Sequence, residues 1–210
     1  GVIAIIYGAL VSMAQKDLKK LVAYSSVSHM GYCMLALAAF SSVSAIAGCM
    51  FQMVSHGLIT GALFLLVGVI YDRAHTREIA AFGGLGAKIP VYTGIMVLFS
   101  MAALGLPGMS GFVSEFMIFV GAFGAINKVL VGIAVLGVVL GAAYMLRMVQ
   151  RVFLGEFNMA KWGDLTDINL REIITVAPLA VLTIAIGVYP KPLTDLMAAT
   201  LEHLVSLMAR

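Results

Sequence analysis

Charged residues are scarce in this chain, and their scarcity limits what kind of protein it can be. Only 11% of the 210 residues are Asp, Glu, Lys or Arg, while 62% are hydrophobic. Several apolar runs exceed the roughly 18 residues that mark a membrane-spanning helix. This composition excludes a water-soluble globular domain and predicts an all-α, polytopic membrane protein. The small excess of basic residues lies between the apolar runs, so it indicates membrane topology and not nucleic-acid binding.

The sequence also lacks the patterns of metal and nucleotide sites. Its two cysteines, Cys33 and Cys49, lie in or beside apolar runs without metal-ligand spacing, so we expect core residues. The glycines of residues 83–86 follow a loop and not a strand, unlike a nucleotide-binding loop. No cleavable signal peptide is visible in the opening GVIAIIYG. We expect the chain to be a piece of a longer protein whose earlier helices are missing.

The most informative stretch is residues 90–126, which carries a single charged residue, Glu115. As one straight helix it would reach roughly 50 Å, against a hydrocarbon core of about 30 Å. Each half, divided at Pro107 and Gly108, is too short to span alone. We therefore predict one discontinuous span, because Pro107 removes a helical hydrogen bond and the neighbouring glycines permit unusual backbone angles. Non-helical backbone at membrane depth must be buried in protein or line a wet cavity.

The distribution of basic residues predicts the topology. About six spans, with residues 90–126 counted as one, place most Lys and Arg on one side, which the positive-inside rule makes cytoplasmic. That side receives Lys16, Lys19, Lys20, Arg73, Arg77, Lys88, Arg147, Arg151, Lys161 and Arg171, and the other receives Lys128, Lys191 and Arg210. We divide the chain into a transmembrane domain, residues 1–193, and a short amphipathic tail, residues 194–210, at the membrane surface.

Three ionisable residues lie inside apolar helices: His29, His56 and Glu115. A histidine titrates near neutral pH and can pass a proton through its two ring nitrogens. A carboxylate in a membrane must bind a partner cation or hold a proton, and is a functional candidate by default. These residues could form a proton relay at the membrane midplane. Because His56 lies at mid-depth with polar neighbours one turn away, we expect it to matter more than His29.

Other residues support this interpretation, and other interpretations stay open. Ser25 and Ser28 lie on or near the face of His29, which would make a hydrated polar stripe plausible. Intramembrane histidines also serve in packing, and two His with one Glu match a metal facial triad in residue type. The three candidates come from separate helices, however, and no HExxH motif is present.

Four segments resemble the antiporter-like subunits of respiratory complex I, with the M-type (chain 4) subunits as the best match. They are AQKDLKKLVAYSSVSHMGY (14–32), FQMVSHGLITGALFLLVGVIYDRAHTREI (51–79), GGL (83–85) and LGLPGMSGFVSEFMIFVGAF (104–123). The AYSSVSHMG and LPGMSGFVSEF motifs are highly specific to this superfamily. The resemblance covers nearly the whole chain and implies two inverted five-helix repeats, each with a broken helix. The second repeat would be the one present here.

The resemblance also implies roles for individual residues. Glu115 is similar to the acidic residue on the broken helix of M-type subunits, where sister subunits place Lys. His29 and His56 resemble the family's relay histidines, and Lys19 and Lys20 match its basic entry motif. The family's glutamate–lysine pair and bridging lysine belong to parts that this sequence does not include. The segment would therefore supply half of a proton channel.

The function implied by the resemblance is that of a proton-translocating membrane-arm subunit of an NADH–quinone oxidoreductase in a bacterial inner membrane or its equivalent. No cofactor is expected on this chain, since flavin, iron–sulfur clusters and quinone would be held by other subunits. Expected partners are the other membrane-arm subunits, including neighbouring antiporter-like subunits, together with lipid and protons. A cation/proton antiporter subunit, a membrane-bound hydrogenase arm, a structural spacer and an intramembrane metalloenzyme are the alternatives.

Overall fold

The computed structural model describes residues 1–208, which form an all-α bundle, as predicted. The helices are α1 (Val2–Met13), α2 (Leu18–Ala38), α3 (Val43–Ala74), α4 (Pro90–Ala103), α5 (Ser110–Ala125), α6 (Lys128–Phe153), α7 (Met159–Trp162), α8 (Leu170–Val188) and α9 (Lys191–Met208). Two short 3₁₀ helices, Ile79–Ala81 and Leu85–Ala87, lie between α3 and α4. Within residues 1–208, β pairing is limited to one isolated bridge between Asp17 and Glu78.

Four of these helices, α2, α3, α6 and α8, are long and apolar enough to cross a membrane. Helices α1, α4 and α5 are apolar but shorter. Helices α4 and α5 follow each other with only residues 104–109 between them, at Pro107 and Gly108. The predicted discontinuous helix is therefore confirmed, and its two halves have 14 and 16 residues.

Polar side chains at the helix starts explain where several helices begin. The Asp17 carboxylate accepts the backbone N–H of Lys20 at 3.0 Å, so α2 begins within the charged segment and before the apolar run. Ser42 caps α3 through the N–H of Ala45. At the start of α8, Asn169 and Glu172 form a reciprocal capping box. Each cap satisfies backbone donors that a helix leaves without intrahelical partners.

The connections that carry most basic residues meet at one end of the bundle. Residues 16–18 exchange backbone hydrogen bonds with residues 77–79. The Trp162 indole N–H donates to the Ala81 carbonyl at 3.0 Å, and its ring lies 5.4 Å from that of Phe82. The basic residues predicted to share one side of the membrane therefore do share one end of the fold. That this end is cytoplasmic stays a prediction.

An ion pair and a helix cap at the same end hold the discontinuous helix in place. Arg73, in the last turn of α3, donates to both carboxylate oxygens of Glu172 at 2.9 and 2.7 Å. Asp167 accepts the backbone N–H groups of Val91 and Tyr92, both at 2.9 Å, in the first turn of α4. A carboxylate at this position also complements the positive end of the helix dipole. The base of α4 is thus tied through one loop to α3 and α8.

The C-terminal segment is helical. This helix, α9, begins at Lys191, three residues before the predicted start of the amphipathic tail at residue 194. Pro192 is compatible with this start because the first helical turn needs no N–H from it. Met197 and Leu201 pack against Ile46 and Ala47 near the start of α3. The position of the tail at the membrane surface and the division at residue 193 stay predictions. Residues 209–210, and with them Arg210, lie outside the described residues.

Candidate functional site

The break between α4 and α5 is built from glycines in backbone conformations that other residues rarely adopt. Gly105 has φ 81° and Gly108 has φ 91°. The chain turns between them around Pro107, and Met109 N–H donates to the Leu106 carbonyl at 3.0 Å. Such irregular backbone needs protein or water around it at membrane depth. A small cavity borders the break at Ala102, Ala103 and Gly111.

Glu115 lies on α5 directly under this break and is only 6% exposed. One of its oxygens, Oε1, lies 3.4 Å from Nδ1 of His29 on α2. A Cβ atom placed on Gly105 would lie 3.1 Å from the other oxygen, Oε2. Glycine at this position therefore leaves the space that the carboxylate occupies. The broken helix, α2 and α3 together form the pocket of this acidic group.

Gln52 on α3 joins three helices at the same place. Its Nε2 lies 3.5 Å from Nδ1 of His29, and its Oε1 accepts a hydrogen bond from the hydroxyl of Ser114 on α5. Nδ1 of His29 thus has two neighbours of opposite character. A protonated Nδ1 can donate to Glu115, while an unprotonated Nδ1 can accept from the Gln52 amide. The geometry accommodates both states of the histidine.

His56 lies next to His29, with 5.8 Å between the ring centroids. Its Nε2 is buried, and the part of the chain that the structure describes offers it no hydrogen-bond partner; the same holds for the hydroxyls of Ser55 and Ser110. The two histidines and Glu115 line a common cavity of about 10 Å³, together with Gln52, Ser55 and Thr60 among others. That volume is close to the minimum that holds one water molecule. His56 and Ser55, whose buried Nε2 and hydroxyl have no partner among the described residues, thus line a water-sized space.

The structure brings together some of the residues singled out from the sequence and separates others. Glu115, His29 and His56 share one cavity, and Pro107 and Gly108 lie in the break above it. Lys19 and Lys20 are exposed at the start of α2, and Lys19 is roughly 15 Å along the helix axis from His29.

Ser25 and Ser28 of α2 make contacts that a packing role requires. Ser25 donates to the Val22 carbonyl in its own helix, and Ser28 donates across to the Ile5 carbonyl in α1, both at 2.8 Å. Both side chains are buried. Each hydroxyl donates to a backbone carbonyl, and the Ser28 bond joins α2 to α1.

Three contributors to the site went unrecognised in the sequence: Gln52 as a bridge, Ser114 as its partner and Gly105 as the space for the carboxylate. Gln52 carried a usable signal, since a glutamine four residues before a histidine in an apolar helix shares its face. Ser114 and Gly105 carried none, because only the folded break shows which groups they meet.

The metal-site alternative receives no geometric support. Among residues 1–208 no group of three His, Cys, Asp or Glu side chains is arranged to hold a metal ion. Cys33 and Cys49 are free and buried, and each thiol faces the other's backbone carbonyl, at 3.9 and 3.7 Å. Their contacts are those of packed residues between α2 and α3.

Comparisons with known proteins give one consistent result. A family model described as NADH:quinone oxidoreductase/Mrp antiporter, TM, matches residues 1–141. Subunit M of the NADH-quinone oxidoreductase of Rhodobacter capsulatus is 49% identical over 97% of this chain and 39% of that protein. The chain thus spans about two fifths of the length of the curated relatives it matches.

Solved structures agree with this result. A chain of respiratory complex I from Thermus thermophilus superposes with a TM-score of 0.90 and 32% identity, over 98% of this chain and 43% of that one. A chain of the Mrp complex from Dietzia sp. superposes with a TM-score of 0.87 over 97% of this chain and 46% of that one. At 22% identity the second likeness shows the fold alone.

Proposed function

Because this chain belongs to the NADH:quinone oxidoreductase/Mrp antiporter transmembrane family, we propose that its protein is a proton-translocating membrane-arm subunit of an NADH–quinone oxidoreductase. In this proposal the chain carries protons only. Flavin, iron–sulfur clusters and quinone belong to other subunits, and the neighbours in the membrane are further membrane-arm subunits, including antiporter-like ones. The membrane would be a bacterial inner membrane or an equivalent energy-transducing membrane.

The contact between His29 and Glu115 is the observation that carries the proposal. Their 3.4 Å separation is close enough for a proton to pass between Oε1 and Nδ1 after a small approach of the two groups. The transfer converts a neutral pair into an ion pair, so its equilibrium responds to any charge that moves nearby. Electron transfer elsewhere in the complex would supply that change of field. Gln52 then stabilises the neutral histidine through its amide N–H.

His56 extends the pathway by a second step. The ring centroids of His56 and His29 are 5.8 Å apart. The buried Nε2 of His56 has no hydrogen-bond partner among the described residues. A single water in the shared cavity would bridge the two rings, since the cavity is lined by both and is close to water-sized. A proton would thus pass among Glu115, His29 and His56 on three different helices. Rotation of the imidazole rings or exchange of the water would reset the relay.

The decisive variant is Glu115→Gln in the full-length protein, because glutamine keeps the shape of the side chain but cannot titrate. The variant should assemble into its complex yet lose most proton pumping and the quinone reductase activity coupled to it. Glu115→Asp should keep part of both, since its carboxylate is set back by one methylene. Glu202→Gln, an exposed position on α9, is the matched control. Both rates are measured in membrane vesicles, with assembly checked on a native gel.

A fully assembled Glu115→Gln complex that pumps at the wild-type rate would overturn the relay and leave a structural spacer. A second candidate is a cation/proton antiporter of the Mrp type, which the common fold supports. A membrane-bound hydrogenase arm shares the same motifs. Identification of the chains that copurify decides among them: peripheral flavin and iron–sulfur subunits support the oxidoreductase, and their absence with sodium-dependent proton exchange supports the antiporter.

A further inference from the structure

A basic cavity lies at the bundle end where α1, α2 and α6 meet, away from the relay. It has a volume of about 190 Å³ and is lined by the cations Lys16, Arg147 and Arg151, with Gln15 as a further polar side chain. Its other lining residues are Met13, Ala14, Leu21, Ile79, Tyr144 and Met148. A volume of this size accommodates a phosphate group with several attached heavy atoms.

The charges around this cavity are not balanced by acidic side chains among the described residues. None of its lining residues is acidic. Within residues 1–208 the ion pairs engage Arg73, Arg77, Lys191 and His29, and none includes Lys16, Arg147 or Arg151. Like charges that face one space repel one another, and an anion between them removes that repulsion. The cavity is therefore complementary to a negatively charged ligand.

The backbone segments that carry the cations are held by the fold. Lys16 belongs to the short connection whose backbone pairs with the segment after α3, since its carbonyl accepts the Ile79 N–H at 2.8 Å. Arg147 and Arg151 are one turn apart on α6, so their side chains leave the same helix face. Guanidinium groups are suited to phosphate because their N–H donors match its oxygens in pairs. The arrangement therefore suits an oxyanion such as phosphate.

A second space adjoins the cavity and adds an apolar half to the site. Arg147 and Arg151 also line an open groove of about 1050 Å³ on the outer surface of α6, with Ala143 and Leu146 on its apolar part. Leu146 is 48% exposed. Ala143 lies one turn from Arg147 in the direction of the helix middle, so this part of the groove lies about one turn closer to the membrane interior than Arg147. A polar cavity that continues into an apolar groove matches a phospholipid, with its phosphate at one end and its acyl chains at the other.

We propose that this surface binds an anionic phospholipid, with the headgroup phosphate among Lys16, Arg147 and Arg151 and an acyl chain against Ala143 and Leu146. The site lies at the end of the bundle that the positive-inside rule makes cytoplasmic, and the lipid leaflet on that side supplies anionic headgroups. Free inorganic phosphate shares the headgroup chemistry but makes no use of the groove.

The test uses the full-length protein in its purified complex and compares Arg147→Gln/Arg151→Gln with a matched charge control, Lys161→Gln/Arg171→Gln, at the same end of the fold. Each complex is reconstituted in phosphatidylcholine nanodiscs that contain photoactivatable phosphatidylglycerol. In the wild type, crosslinks should fall on residues 143–154, and the cavity variant should reduce them by about tenfold. The control variant should retain them. An excess of inorganic phosphate should leave the wild-type crosslinks unchanged.

Three results would overturn the proposal. Equal crosslinking of the cavity variant and the wild type would show that the arginines do not bind the lipid. Competition by inorganic phosphate would identify a free anion as the occupant. A carbodiimide crosslink from Lys16 to a carboxylate of another protein segment would show that protein covers the cavity. Because the wild-type crosslink map does not depend on any variant, a variant that fails to assemble still leaves the proposal open to refutation.

Discussion

The Nδ1 atom of His29 lies 3.4 Å from Oε1 of Glu115, which brings a histidine of α2 against the carboxylate of the broken helix. The same nitrogen lies 3.5 Å from the amide of Gln52. An ionisable group held between a possible proton acceptor and a neutral donor can exist in two hydrogen-bonded states. In both states Nδ1 of His29 has a hydrogen-bond partner. Exchange between the states therefore avoids the free-energy penalty of a buried, unsatisfied polar atom.

This contact favours the opposite order of importance to the one that the sequence predicts for the two histidines, an order that stays to be tested. Depth in the membrane predicts that His56 matters more for proton pumping, whereas contact with Glu115 predicts that His29 does. We expect His29→Gln to reduce proton pumping more than His56→Gln, with both variants assembled. The measurement is the initial rate of vesicle acidification driven by NADH. Equal, wild-type rates in both variants would assign both histidines to packing.

The topology predicts how the two ends of the bundle react with water-soluble thiol reagents. Asp164→Cys lies in the loop between α7 and α8, and Ser41→Cys lies at the opposite end between α2 and α3; both positions are exposed. We expect the first to be labelled only from the cytoplasmic side and the second only from the other side. The native Cys33 and Cys49 are buried and should give little background. Labelling of both positions from the same side would refute a single discontinuous span.

The sequence predicted the class of fold and the place of the break because both depend on composition and on local chemistry. A run of 37 residues from 90 to 126 with one carboxylate leaves few solutions in a bilayer of fixed thickness. The sequence could not predict which side chains contact each other, because these contacts depend on how the helices rotate against each other. Asp167 illustrates this limit, since it caps α4 from a loop that lies 75 residues later than Tyr92 in the chain.

We expect Gln52 to contribute to proton pumping through its contacts with His29 and Ser114. Gln52→Leu removes the amide donor near His29 and the acceptor of the Ser114 hydroxyl. The neutral histidine then loses its partner, so we expect slower pumping and an altered pH dependence of its rate. Met53→Leu, at an exposed position of the same helix, is the control. The measurement is the pumping rate across a pH series, and a Gln52→Leu profile that coincides with the wild type would remove Gln52 from the relay.

Alanine substitutions at Gly105 and Gly108 distinguish the effect of backbone strain from the effect of crowding beside Glu115. Both have positive φ, so alanine at either position should destabilise the break by about 1–2 kcal/mol. Only at Gly105 does a new Cβ meet the carboxylate, at 3.1 Å from Oε2, whereas at Gly108 it meets no atom within 4 Å. We therefore expect similar losses of thermal stability from Gly105→Ala and Gly108→Ala, but a clearly larger loss of pumping from Gly105→Ala. Assembly yield, melting temperature and pumping rate are measured on the same preparations. If the two variants lose pumping in equal proportion, strain at the break explains both, and the space beside Glu115 has no separate role in proton transfer.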